Sequence, residues 1–178
     1  IVRPFVPAAH IDEQRPEFRD PKVFWHDKTH RWIMVVALAD EHKVAFYWSR
    51  DLKDWKKLSE FGPAGAPGPN WECPEFFELP VEGGSQGETR WVLKIGIGNG
   101  HVAGGSGEQY FIGKFDGQRF VNDNPASTAL WFDYGRDCYC ALSFNNTPKA
   151  RYAEMLGWMN NWSYAKHIPT APFRGQMT

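Results

Sequence analysis

The sequence has no apolar run close to the roughly 18 to 20 residues that cross a bilayer, so it offers no membrane-spanning helix. It also has almost no net charge: 20 basic and 21 acidic residues are interspersed to give −1. Neither a basic stripe for nucleic acid nor a polybasic patch for anionic lipid can be read from it, and a neutral partner is expected. Cysteine is scarce: Cys73, Cys138 and Cys140 are an odd set of three, which argues against a disulfide framework and leaves the redox compartment open. The opening "IVRPFVPAAH" is too short and too rich in proline for a signal peptide, and the expectation is a chain that starts mid-protein or already processed. No amphipathic pattern of ten or more residues at helical spacing is present. Aromatic residues are what the sequence has in excess. Nine Trp, thirteen Phe and six Tyr exceed the needs of a small core, so some rings are expected to face a ligand.

Short β patterns fill the chain, and the expected class is all-β. "RWIMVVAL" (31–38) carries apolar residues on both faces, as in a strand covered on both sides. With "HKVAFYWS" (42–49) and "KKLSEF" (56–61) it completes a four-stranded meander over residues 21–60. A second unit follows in "PEFFEL" (74–79), "TRWVLKIGIG" (89–98), "EQYFIGKF" (108–115) and "QRFV" (118–121), with an Asp116-Gly117 hairpin turn. Asp51 precedes Trp55 as Asp116 precedes Phe120, at a common offset of 65 residues. A third unit begins with "CYCALSF" (138–144) and "RYAEMLGWM" (151–159). Repeated four-stranded sheets are the signature of a β-propeller; a two-sheet sandwich is the competing reading.

In a propeller the first strand of each blade lies innermost, so the residues leading into it converge on the axis. Asp20, Glu72 and Asp137 each stand at such an entry, 52 and 65 residues apart. Three carboxylates around one axis would make a site. Their mutual repulsion would hold a proton on one of them near neutral pH, as a general acid requires. Pro21 and Pro74 remove backbone donors at these entries.

The motifs "FRDPKV", "WECPEFFEL", "GEQYFIGKFDGQRF", "DYGRDCYCALSF" and "GWMNNWSYAKHIPTAPFRGQMT" occur in order from Phe18 to Thr178. Together they resemble glycoside hydrolase family 32, the β-fructofuranosidases that include invertases, inulinases and levanases. The resemblance implies a five-bladed propeller followed by a β-sandwich. It also implies that Asp20 is a transition-state stabiliser with Arg19 beside it, that Glu72 is the general acid/base, and that Asp137 and Trp162 contact sugar. An apolar wall of Trp71, Cys73 and Phe76 would suit such an acid. The family's nucleophile sits in an Asn-Asp-Pro motif that this sequence does not contain; "NDNP" (122–125) reads as a turn. Residues 1–178 are therefore expected to be a partial catalytic propeller of about three blades, truncated at both ends and without the sandwich, and inactive by themselves. Bare blade faces are expected at Val35, Val36 and Leu156.

The implied activity is retaining, exo-acting hydrolysis of terminal fructose from inulin, levan or sucrose, with no cofactor and no metal. A fructosyltransferase on the same scaffold and a catalytically silent fructan-binding propeller are the alternatives. The glycine-rich "GIGNGHVAGGSG" (96–107) joins two strands and opens no helix, so it reads as a surface loop rather than a phosphate site. His26 and His30 flank a hairpin turn. Cys138 and Cys140 alternate along a strand as part of a packed wall rather than a metal site. Ser106 lacks the surroundings of a nucleophile elbow. "NNT" (145–147) and "NWS" (161–163) are glycosylation sequons consistent with secretion, although the second overlaps Trp162 and is not expected to carry sugar.

Overall fold

Strand β1 (Phe18–His26) pairs antiparallel with β2 (Arg31–Leu38), β2 with β3 (Lys43–Ser49) and β3 with β4 (Lys56–Phe61), giving a first sheet in the order β1-β2-β3-β4. The second sheet runs β5 (Trp71–Pro80), β6 (Thr89–Ile97), β7 (Gly107–Phe115) and β8 (Phe120–Asn122). The two-residue β9 (Leu130–Trp131) adds to the opposite end of the β7 edge that β8 occupies. A third sheet pairs β10 (Tyr139–Ser143) with β11 (Met155–Trp158). The computed structural model describes residues 17–145 and 153–168. The opening decapeptide, the second and third residues of the first sequon, the first part of the strand expected over 151–159 and the motif beyond residue 168 lie outside the described residues.

The sheets are consecutive in the chain and their first strands, β1, β5 and β10, are neighbours in space. That is the blade arrangement read from the sequence, and it decides against a two-sheet sandwich. The outer turns repeat as well. Asp51 Oδ1 accepts the N–H groups of Lys53 and Asp54, and Asp116 Oδ1 accepts those of Gln118 and Arg119. In both cases the carboxylate closes a turn locally, after which Trp55 and Phe120 enter the core.

The main core lies between the first and second sheets. Ile33, Val35, Val44 and Phe46 on one side meet Trp71, Phe76, Leu93, Ile95, Ile97 and Phe111 on the other. Phe76 stacks on Trp91 at 4.6 Å between centroids, and Phe61 meets Phe111 edge-on at 4.9 Å. Such pairs are worth about 0.5–1.5 kcal/mol each beyond the area they bury. A second cluster of Met34, Val36, Leu38, Ala45, Tyr47 and Trp55 covers the other face of the first sheet. The two-sided pattern of β2 is therefore met on both sides. Val35 and Val36 are both fully buried, against the expectation of bare faces, because the neighbouring sheet covers one and Tyr47 and Trp55 help to cover the other. Leu156 is 58% exposed.

Each first strand carries the same irregularity. Four residues of β1, Arg19 to Lys22, span what three residues span on β2, Ala37 to Val35. Glu72 to Glu75 on β5 and Tyr139 to Leu142 on β10 do likewise against their partners. Each is a β-bulge with one extra residue, and each places a non-glycine residue at positive φ: Asp20 at 59°, Cys73 at 49° and Cys140 at 52°. The bulge reverses the alternation of side chains, which is how Trp71 and Phe76, five positions apart, enter one core. Pro21 and Pro74 sit inside these bulges rather than at strand entries, where the ladder needs no donor from them. At the matching position of the third sheet, Ala141 keeps its N–H, and the buried carboxylate of Glu108 accepts it at 3.0 Å.

Candidate active site

The repeated bulge aligns the three sheets residue by residue. The last regular residues before it are Arg19, Glu72 and Tyr139; the bulge residues are Asp20, Cys73 and Cys140. These two sets corrects the alignment of Asp20, Glu72 and Asp137 expected from the sequence, and each set is joined by contacts. Arg19 Nη2 donates to Glu72 Oε1 at 2.9 Å, and the Tyr139 hydroxyl donates to Glu72 Oε2 at 2.5 Å. One level down, the Cys73 backbone N–H donates to Asp20 Oδ2 at 3.0 Å, and Cys140 Sγ stands 2.8 Å from Cys73 Sγ. Gly96, paired with Glu72 across the sheet, leaves room for the Tyr139 ring: a Cβ there would stand 3.1 Å from it.

Glu72 retains 21% side-chain exposure while both its oxygens are engaged. Its surroundings are polar. Trp71 and Phe76 turn into the inter-sheet core, so the apolar wall expected around Glu72 is replaced by Arg19 and Tyr139. Nor do carboxylates cluster alone: the Arg19 guanidinium bonds Glu17 and Glu72 and lies 3.9 Å from Asp20. Burial works against the charge on Arg19, but the bonds to Glu72 and Glu17 outweigh it and raise its pKa above the ordinary arginine value. Burial, and then the bond to Glu72, raise the Tyr139 hydroxyl well above the usual phenol range, so it remains a proton-bearing donor.

Trp162 is 56% exposed and belongs to an aromatic group beside this pair. Its ring centroid lies 4.7 Å from that of Trp158 and 6.5 Å from that of Tyr139. Asn161 fixes it there. Buried, Asn161 donates through Nδ2 to the carbonyls of Gly104, Ser106 and Arg136 and accepts from Ser106 N–H through Oδ1. Ser106 Oγ in turn accepts the Trp162 N–H at 2.9 Å. Gly105, at φ +75°, makes this possible, since a Cβ would strike the Asn161 carboxamide. The glycine-rich loop is thus a pinned support for the aromatic group rather than a free surface loop, and the second sequon has no exposed asparagine to modify. Asp137 stands exposed in the loop that enters β10, two residues before Tyr139.

Behind Glu72 lies a network that the sequence did not announce. Lys94 and Glu108, both 0% exposed, form an ion pair, and Lys94 Nζ also lies 3.4 Å from the carbonyl of Cys73. Glu75, likewise buried, pairs with Lys22 at 3.0 Å and accepts the Ser143 N–H, while Lys22 donates to the Ser143 carbonyl. These charges tie β1, β5, β6, β7 and β10 together under the site. A separate groove of about 490 Å³, lined in part by Trp25, Trp32, Phe77 and Phe144, opens at the other ends of β1 and β5 and contains neither Asp20 nor Glu72.

Residues 3–178 match the family model of the glycosyl hydrolases family 32 N-terminal domain. The levanase of Bacillus subtilis (strain 168) is 49% identical over 162 residues, covering 90% of this chain and 24% of the levanase. An extracellular exo-inulinase of Aspergillus niger is 47% identical over 178 residues, covering 96% of this chain and 33% of its own length. A solved fructofuranosidase of Schwanniomyces occidentalis in complex with fructosylnystose superposes with a TM-score of 0.84 at 38% identity, covering 94% of this chain and 31% of that one. The chain thus spans about a quarter to a third of the length of these relatives. The propeller-like sheets, the Arg-Asp-Pro and Glu-Cys-Pro bulges and this likeness converge: the chain belongs to glycosyl hydrolase family 32, within its N-terminal domain.

Proposed function

We propose that the protein carrying this chain is an extracellular, retaining β-fructofuranosidase that removes terminal fructose from inulin, levan or sucrose. The observation that carries the reading is Glu72, held at the meeting point of three sheets by Arg19 and Tyr139. Its place in a family whose relatives include a levanase and an extracellular exo-inulinase supports the substrate class and the location.

A fructosidic bond breaks through an oxocarbenium-like transition state, and the leaving oxygen needs a proton as it departs. Glu72 supplies it. Arg19 can only donate, so it keeps Oε1 engaged and directs the proton to Oε2. Oε2 faces Tyr139, whose hydroxyl can accept from the protonated acid and donate to the carboxylate left behind. One contact therefore serves both the acid step and the later base step, in which Glu72 activates water. Among the described residues, Asp20 meets Cys73 and Arg19 through Oδ2, which leaves Oδ1 to bind fructose hydroxyls and stabilise the developing charge. Asp137 and Trp162 contact sugar from the β10 side, Trp162 with its exposed ring face. The attacking carboxylate is assigned by the family resemblance to an Asn-Asp-Pro motif, and Asp20 is not given that role.

Proton NMR during the first minutes of turnover tests this reading. Sucrose, inulin or levan is expected to release β-fructofuranose before the anomers equilibrate. Initial release of the α anomer would refute retention, and release from none of the three would refute the activity.

A further inference from the structure

Cys73 and Cys140 are the bulge residues of adjacent sheets, 67 positions apart in sequence, and their Sγ atoms lie 2.8 Å apart. Both are free thiols, and both are partly accessible. Each directly follows one member of the hydrogen-bonded pair Glu72 and Tyr139. The Cys73 thiol lies 3.7 Å from Asp20 Oδ2, but neither sulfur gives or takes a proton in the proposed chemistry.

We propose that Cys73 and Cys140 form a modification site at which a small-molecule disulfide installs a bond between the second and third sheets. The two φ values of 49° and 52° show that both strands present this residue in the same unusual conformation. The bulges thereby bring together two side chains from different sheets. The order of events follows from their surroundings. The contact with Cys73 lowers the pKa of Cys140, and the charge of Lys94 acts in the same direction. The same contact and burial raise Cys73. Cys138, pushed up to about 11 chiefly by burial, is mostly thiol at neutral pH.

Cys140 is therefore the attacking thiolate. It displaces one thiolate from the small disulfide and forms a mixed disulfide. Cys73 then loses its proton to solvent and attacks the Cys140 sulfur, expelling the second thiolate. The protein loses two protons and two electrons, and the reagent is reduced to two thiols. The new bond lies next to Glu72 and Tyr139, so it shifts the acid against its hydrogen-bond partner. This consequence for turnover rests on the proposed role of Glu72; formation of the bond does not.

The test uses oxidised glutathione at millimolar concentration on the purified protein carrying this chain, with intact mass, peptide mapping and fructose release as readouts. The expected product is about 2 Da lighter, yields a cross-linked peptide containing Cys73 and Cys140, and loses about tenfold or more in kcat/KM, restored by dithiothreitol. Cys140→Ser, or Cys140→Ala if the first folds poorly, is expected to form no cross-link and to lose no activity on treatment. Absence of the cross-linked peptide from the wild-type protein, or glutathione adducts confined to Cys138, would overturn the proposed site. A cross-link with unchanged turnover would leave the dithiol site standing and overturn its coupling to Glu72.

Discussion

Glu72→Gln is expected to lower kcat/KM for sucrose and inulin by about 10²- to 10⁴-fold, the usual contribution of general acid catalysis. It is expected to lower it far less for a fructoside with a good leaving group. The reason lies in the first step. An activated leaving group departs without a proton, so sucrose and inulin should feel the loss of the acid far more strongly, while Arg19 and Tyr139 still have an amide to bond. The comparison is made on formation of the fructosyl-enzyme, by single-turnover kinetics, because the later water attack needs the same residue as a base. Equal losses on both substrates in that step would remove Glu72 from the acid role.

Lys94→Met is expected to destabilise the fold by about 3–5 kcal/mol, the scale seen when one partner of a buried ion pair is removed. Glu108 would then be left buried without its cation, where burial already raises its pKa against the opposing pull of Lys94. Lys94→Met combined with Glu108→Gln is expected to recover much of the loss, since the uncompensated charge is gone. Urea unfolding of the two variants and the parent measures this. A double variant no more stable than Lys94→Met would show that Lys94 acts through its contact with the Cys73 carbonyl instead.

Strand positions were legible because they rest on local alternation. β2, β3, β6 and β7 carry the period that a covered sheet demands, and Asp51 and Asp116 mark their turns with a side chain that caps the backbone two and three residues on. The bulges were not legible. A bulge usually advertises itself with glycine, and here aspartate and two cysteines take the positive φ. An alignment anchored on acidic residues therefore reached Asp137, two positions short of Tyr139. Aligning Arg-Asp-Pro with Glu-Cys-Pro and then with Tyr-Cys-Ala would have found it. Lys94 and Glu108 looked like ordinary strand charges, because nothing local records that both point beneath a third sheet. Arg19, Asp20, Glu72 and Trp162 were singled out by motif, and what the sequence could not supply was the contact geometry that joins them.

Glu72, held between Arg19 and Tyr139, is expected to meet the leaving oxygen. A crystal structure of the Glu72→Gln protein soaked with a short fructose oligosaccharide tests it directly. The scissile glycosidic oxygen is expected within about 2.6–3.2 Å of the residue-72 carboxamide, with a fructose hydroxyl on Asp20 and a sugar ring against Trp162. An oligosaccharide bound instead along the groove of Trp25, Trp32 and Phe77, with no sugar oxygen near residue 72, would contradict it.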